Sequence, residues 1–116
     1  MVLNEILVKL VEEGPLKKVI LVDYDGFLIE KVGVEDKEDD LVAAIVRDLL
    51  EKIKKITRSS SNSLPIQGIF ETTSGLVAFS FFPNNLALFG VSKDGVKIRD
   101  VWNSLSKMYK TIAEAL

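Results

Sequence analysis

Two aspartates separated by one residue follow directly after an apolar run, and their type and spacing could support phosphoryl transfer. Asp23, Tyr24, Asp25 and Gly26 come after the β-branched run of residues 18–22. In such chemistry Asp23 would attack phosphorus, Asp25 would protonate the leaving group, and oxygen ligands would hold Mg²⁺. The alternative is structural: Asp25-Gly26 forms a two-residue hairpin turn, because glycine accepts a positive φ at no steric cost, and Asp23 caps the strand end in solvent.

The motif resembles the first motif of the haloacid dehalogenase-like phosphatases, but the rest of the chain departs from that family. Phe27 stands where these enzymes usually carry Thr or a small aliphatic residue. The later acidic pair Asp39-Asp40 belongs to the start of a predicted helix and does not follow a parallel strand. The residues after Asp23 are also too few for several βα units. We therefore predict no catalytic residue, metal ligand or cofactor, and a magnesium-dependent phosphatase using Asp23 and Asp25 stays as an alternative.

The composition limits the remaining chemistry. The 116-residue chain contains no histidine and no cysteine, which removes the usual general base near neutral pH, thiolate nucleophiles and disulfides. Seventeen acidic and fifteen basic residues give a net charge of −2, so nucleic acid is not an expected partner. No apolar stretch approaches the roughly 18 residues of a membrane span, and the N-terminus does not have the pattern of a signal peptide. We expect one cytoplasmic domain over residues 1–116.

Hydrophobic periodicity and turn residues predict three helices and five strands. A first helix covers residues 2–13, and a central helix begins in the acidic stretch 35–40 and continues to about Ile56. A third helix follows Asp94-Gly95, and its apolar face is predicted to contain Ile98, Val101, Trp102, Leu105, Met108, Tyr109 and Ile112. The strands are predicted at residues 18–22, 27–32, 66–72, 76–82 and 86–91.

The strands differ in how completely they are apolar. Residues 76–82 and 86–91 are apolar almost without alternation, which indicates that both faces of these strands are covered. The run 66–72 contains Gln67 and Glu71 and is typical of a sheet edge. Helices must therefore lie on both sides of the sheet.

This arrangement resembles the roadblock family, also called the dynein light-chain roadblock fold, over essentially the whole chain. The matching features are a first helix ending at Gly14, the strand VILVDYDGFLI with its Asp-Gly turn, a long central helix with an acidic start, the three-strand meander with Pro83-Asn84-Asn85 before LALF, and a closing helix led by Asp94-Gly95. The resemblance implies an α/β (α+β) fold with a five-stranded antiparallel sheet in the order 2-1-5-4-3, the first and third helices on one face and the central helix on the other. It also implies a non-enzymatic dimer that serves as a platform for a small Ras-like GTPase or a related signalling or transport partner.

The central helix is apolar over a wider arc than contact with one sheet requires. On a helical wheel, the positions that face the sheet are Val42, Ile45, Leu49, Ile53 and Ile56. Members of the roadblock family dimerise through their third strands and central helices, and the predicted dimer interface here is Ala43, Val46, Leu50, Ile66, Gly68 and Phe70. The alternatives are a heterodimer with a second roadblock chain, and contact of Val46 and Leu50 with loops of their own protomer.

The other flank of the central helix is the predicted partner-binding platform. Its residues are Asp40, Ala44, Arg47, Asp48 and Glu51. Arg47 could reach a nucleotide as an arginine finger, but such fingers usually lie on flexible loops, and a surface Arg on a helix is usually solvated or paired. We expect a dimer to act by positioning the partner's own switch residues. A small-ligand sensing domain is a further alternative, which would need a cavity between sheet and helix.

Overall fold

The computed structural model describes residues 2–33, 48–49, 51–53, 55, 67–73, 75–82 and 85–115. Its elements, in chain order, are helix α1 (Val2–Glu12), strands β1 (Leu16–Asp23), β2 (Leu28–Gly33), β3 (Gln67–Thr72), β4 (Gly75–Phe82) and β5 (Leu86–Ser92), and the C-terminal helix α2 (Ile98–Ala115). The described residues between 48 and 55 are helical and belong to the predicted central helix. The predicted start of the central helix, at residues 35–40, lies outside the described residues.

The five strands form one sheet in the order β2-β1-β5-β4-β3, and every neighbouring pair is antiparallel. This confirms the predicted order, with the apolar strands β1, β4 and β5 in the interior and β2 and β3 at the edges. The strand ends differ from the predicted ones by one or two residues, since β1 begins at Leu16 and β5 continues to Ser92.

One face of the sheet is covered by α1 and α2. Helix α1 packs on β1 and β2, and α2 packs on β3 and β4. The core between these layers is built from alternate strand residues and from the inner helix faces, and includes Leu3, Leu7, Leu10, Leu16, Val19, Leu21, Ala78, Phe82, Leu88, Val101, Leu105 and Ile112. The period of two along each strand sends the intervening residues to the other face.

The second face is rich in aromatic side chains and receives the central helix. Its buried residues are Ile20, Val22, Phe79, Phe81, Ala87 and Phe89. Phe79 contacts the ring of Phe81 at a centroid distance of 5.3 Å and that of Phe89 at 5.9 Å. Leu49 and Ile53 of the central helix pack against this cluster, which confirms that helices lie on both sides of the sheet. The sheet-facing positions Val42, Ile45 and Ile56 lie outside the described residues.

The predicted apolar face of α2 is buried only in part. Val101, Leu105 and Ile112 are buried, whereas Ile98 and Trp102 are each 45% exposed. The seven predicted residues span an arc of about 120° at 100° per residue; Trp102 lies at one margin of this arc, and Ile98 is the first residue of the helix.

Candidate interaction surfaces

The β3 edge of the sheet is regular along its full length. Its six residues pair with β4 from Gln67↔Ser80 to Thr72↔Gly75 without a shift in register. Because β3 is the last strand in the sheet order, one side of its backbone has no neighbouring strand among the described residues. A regular, unpaired edge of this kind is a template for a further strand.

Gly68 and Phe70 of the predicted dimer interface lie on the aromatic face, where both contact Phe79. A Cβ atom at position 68 would overlap the Phe79 ring, so glycine is needed here to admit that ring. Phe70 packs on the same ring at a centroid distance of 5.5 Å and is 48% exposed. Gly68 thus has a role within the protomer, and Phe70 presents its open side at the edge. The other predicted interface residues, Ala43, Val46, Leu50 and Ile66, lie outside the described residues.

The outer face of the central helix carries charges of both signs. Asp48 and Glu51 of the predicted platform are exposed, while Leu49 and Ile53 point to the sheet. Lys52 and Lys55 are exposed as well. Each of these lysines lies four residues after an acidic one, a spacing that places both on the same surface of the helix. The predicted platform did not include them. The platform residues Asp40, Ala44 and Arg47 lie outside the described residues.

The Asp23–Gly26 motif forms a turn of three residues, so the predicted two-residue turn is wrong. The Asp23 amide donates to the Phe27 carbonyl at 3.0 Å, and the Gly26 amide donates to the Asp23 carbonyl at 3.1 Å. Gly26 has φ 93°, which glycine adopts without strain. The extra residue is Tyr24, which the loop includes because the ladder closes at Asp23 and Phe27.

The side chain of Asp23 stabilises this turn by accepting hydrogen bonds from its backbone amides. Its Oδ1 accepts hydrogen bonds from the amides of Asp25 at 3.0 Å and Phe27 at 2.9 Å, and its side chain is half-buried, so it does not simply cap the strand end in solvent. An aspartate that binds amides two and four residues on is a common stabiliser of turns. The observed geometry therefore gives the first aspartate of the motif a structural role.

Tyr24 connects the same turn to the end of β4. Its hydroxyl donates to the Phe82 carbonyl at 2.8 Å, and its ring contacts Phe81 edge to face at 6.1 Å. Burial raises the pKa of Tyr24 above 10.0, and the nearby Tyr109 adds to this rise. The β1–β2 turn is thus held to the end of β4 by a neutral tyrosine.

The described residues do not assemble the other parts of a phosphatase. No group of three or more acidic side chains among them could hold a metal ion. The strand after the Asp23 motif pairs antiparallel to β1, unlike the successive parallel βα units of the haloacid dehalogenase-like enzymes.

Two grooves lined by described residues lie away from the central helix. One of about 320 Å³ lies between the β3–β4 turn and the segment that leads into α2, and Glu71, Thr72, Lys93 and Asp94 are among its residues. The other, of about 160 Å³, lies between α1 and α2. Neither of these two grooves lies between the sheet and the central helix, where a ligand-sensing domain would need its cavity. Among the described residues, no helix is both long and apolar enough to span a membrane.

The sheet order, the helices on both faces and the antiparallel edge strands define a roadblock-type α+β domain. The family model described as Roadblock/LC7 domain matches residues 2–70, more than half of the chain. The chain therefore belongs to the Roadblock/LC7 family.

Solved structures agree with this assignment at the level of the fold. MglB from Myxococcus xanthus superposes with a TM-score of 0.89 at 15% identity, covering 99% of this chain and 94% of that one. The gliding protein MglB from Thermus thermophilus gives a TM-score of 0.85 at 12% identity, with 97% and 86% covered. An MglB structure with a tetrameric arrangement gives 0.84 at 12% identity, with 97% and 85% covered. No curated protein matches the chain by sequence.

Proposed function

We propose that this chain is a non-enzymatic, homodimeric scaffold or regulator that binds a small Ras-like GTPase in the cytoplasm. The two copies would pair through β3 and through their central helices, and the outer faces of the two helices would together form the platform for the partner. The GTPase as partner follows from the roadblock resemblance, and the described surfaces are compatible with it.

The dimer proposal is supported by the regular β3 edge, which has no neighbouring strand among the described residues, and by a half-exposed phenylalanine beside it. A soluble protein usually protects an edge of this kind by a bulge, a charge directed inward or a covering element. β3 has an unbroken register and exposes Phe70 on the face that receives the central helix. A second copy related by a two-fold axis would satisfy the edge and cover the ring at once.

The GTPase platform is supported by the side chains that the central helix turns away from the sheet. Leu49 and Ile53 anchor the helix on the aromatic cluster, which leaves Asp48 and Glu51 directed outward. Charges at the rim of a transient interface act mainly on the association rate and on partner selection. We expect the dimer to position the switch residues of the GTPase rather than to supply a catalytic group.

Charge reversal at the platform tests the partner. We expect Asp48→Lys combined with Glu51→Lys to weaken binding of a purified small Ras-like GTPase from the same cytoplasm by about tenfold or more, while the dimer is retained. Glu114→Lys is the matched control, because Glu114 is an exposed acidic residue at the end of α2. The affinity is measured by titration calorimetry with the GTPase in its GTP-bound and GDP-bound forms. The proposal fails if no such GTPase binds in either form.

A further inference from the structure

We propose that the dimer has a second contact layer on the opposite side of β3, in which Ile98 and Trp102 of α2 pack against the same helix of a second copy of this chain. This inference rests on the proposed pairing of β3 strands. It adds to the interface a surface that neither the sequence pattern nor the roadblock resemblance assigns.

The two flanks of α2 have different neighbours. The groove between α1 and α2 is lined by Lys9 and Leu10 from α1 and by Ser104 and Met108 from α2. Ile98 and Trp102 do not line this groove. Since successive residues rotate by about 100° around a helix, Trp102 lies on the flank of α2 that points away from α1.

Hydrogen bonds place this second flank at the β3 edge. The side-chain amide of Gln67, the first residue of β3, donates to the Trp102 carbonyl at 3.3 Å and to the Ser106 hydroxyl at 3.0 Å. Gln67 therefore fastens the Trp102 turn of the helix to the outermost strand. The Trp102 side chain on this turn is 45% exposed.

The flank is partly exposed: Ile98, Trp102 and Ser106 are exposed, whereas Tyr109 and Ala113 pack against the core and Tyr109 stacks on Phe82. Around the helix, the residues on this side are Ile98, Trp102, Ser106, Tyr109 and Ala113. The charged residues of α2 lie together on the solvent side and are Arg99, Asp100, Lys107, Lys110 and Glu114. The nearest of these charges, Arg99, lies three residues before Trp102 and is exposed. A half-exposed tryptophan with an apolar neighbour and a polar or charged rim has the composition of a protein interface.

The size of a stable interface also calls for a second layer. A six-residue edge is about 20 Å long and a sheet layer about 10 Å thick, so edge pairing alone covers on the order of 200 Å² per copy. A specific interface of ordinary size buries about 800 Å² per partner. Two layers flank β3 and can supply the remaining area: the central helix with Phe70 on one face and the α2 flank on the other.

A two-fold axis through the middle of β3 brings the two α2 flanks together. The approach to α2, at Asp94 and Val96, lies near Glu71 and Thr72, and the Ser106 turn lies near Gln67, so α2 runs antiparallel to β3. The axis therefore sets Ile98 of one copy opposite Trp102 of the other. With α2 resting on β3 and β4 and strands about 4.8 Å apart, the two helix axes come about 10 Å apart, the usual distance for packed helices.

Trp102 itself reports on this contact, because it is the only tryptophan in the chain. Tryptophan emission and acrylamide quenching are recorded for the full chain over the concentration range in which sedimentation velocity follows the monomer becoming a dimer. We expect the emission to move to shorter wavelength and quenching to decrease in step with the dimer fraction. Phe70→Asp, which we expect to be monomeric, gives the reference for the exposed ring.

Variants give an independent reading of the same contact. We expect Trp102→Ser to raise the dimer dissociation constant about tenfold or more, and Ile98→Ser to raise it less. Asn103→Ser is the matched control, because Asn103 is exposed on the solvent side of the same turn, and it should leave the constant unchanged. Circular dichroism checks that each variant is folded.

The outcomes separate the two proposals. One possible result is that the chain forms a dimer, that Phe70→Asp disrupts this dimer, and that acrylamide quenches Trp102 equally in monomer and dimer. In that case the proposed α2 contact is wrong and the dimer proposal stands. If the chain is a monomer at all concentrations, both are wrong. A blue shift that follows the dimer fraction, together with weaker dimerisation of Trp102→Ser, supports the contact.

Discussion

Each edge strand of the sheet has an apolar side chain that is exposed to a similar fraction, but the two strands differ in backbone geometry. Ile29 on β2 is 50% exposed and Phe70 on β3 is 48% exposed. The β2 ladder shifts register between Leu21↔Glu30 and Val22↔Leu28, which leaves Ile29 as the extra, bulged residue. The β3 ladder has no shift.

The difference shows that exposed apolar area does not by itself identify a pairing edge. A bulge bends and twists its strand, so that the outer backbone groups no longer form a straight row for a further strand. The helix layer also fastens β2, since the Asn4 side chain of α1 donates to Glu30 at 3.2 Å. Of the two edges, β3 therefore offers the better template for strand pairing.

The largest expected effect comes from placing the same charge at each edge. We expect Phe70→Asp to raise the dimer dissociation constant about 100-fold, because the carboxylate would be desolvated in the interface. Ile29→Asp, with almost equal exposure, should leave the constant within about threefold of the wild-type value. Sedimentation equilibrium measures both. Equal effects of the two variants would contradict the distinction between the edges.

The next effect concerns the packing under the β3 edge. We expect Gly68→Ala to lower the free energy of unfolding of the monomer by about 1–3 kcal/mol, because the new methyl group must displace the Phe79 ring. Urea unfolding of the Phe70→Asp background measures this without the dimer. In a double-mutant cycle with Phe79→Leu, the cost of Gly68→Ala should fall. An unchanged cost would show that the ring is not the obstacle.

A smaller effect is expected at the turn that leads into the β2 edge. Asp23→Ala should lower the free energy of unfolding by about 1 kcal/mol, because two turn amides lose their shared acceptor. Asp23→Asn keeps an oxygen at the same position and should cost less. Urea unfolding at neutral pH compares the two. If asparagine costs as much as alanine, the hydrogen bonds of the turn are not the source of the stability.

The smallest effect is a pH dependence at the same turn. The folded-state pKa of Tyr24 is raised above 10.0, so its contribution to stability is complete below pH 10 and is lost as the pH rises through the folded-state pKa. The free energy of unfolding should fall over this alkaline range, and Tyr24→Phe should reduce the slope. Chemical unfolding at several pH values above about 9 gives both slopes. Parallel slopes for the two proteins would contradict the assignment to Tyr24.

The architecture was predictable because interior strands and edge strands differ in how many of their residues are apolar. Interior strands such as β4 are covered on both faces and are apolar at nearly every position, while β3 carries Gln67 and Glu71. The helix–strand order then resembled the roadblock family closely enough to give the strand order. On the central helix, the inward direction of Leu49 and Ile53 followed from the period of 3.6 residues.

The details that the sequence did not reveal depend on where one element ends against another. Ile29 alternates in sequence like any strand residue, and only its pairing partners show that it is bulged. Trp102 has the spacing of a core residue but is 45% exposed. Gly68 is a glycine in an ordinary extended strand, and its necessity comes from Phe79, eleven residues away on the neighbouring strand.

The position of β5 in the middle of the sheet has a consequence for how the chain folds. The hairpins β1–β2 and β3–β4 share no ladder with each other and are joined only when β5 enters between β1 and β4. A ribosome that delivers about 5–20 residues per second releases both hairpins before residues 86–92 follow. Until then, each hairpin has one edge that lacks its permanent neighbour. β5 then closes a local ladder with β4 and a non-local ladder with β1, and we expect the non-local closure to limit the folding rate.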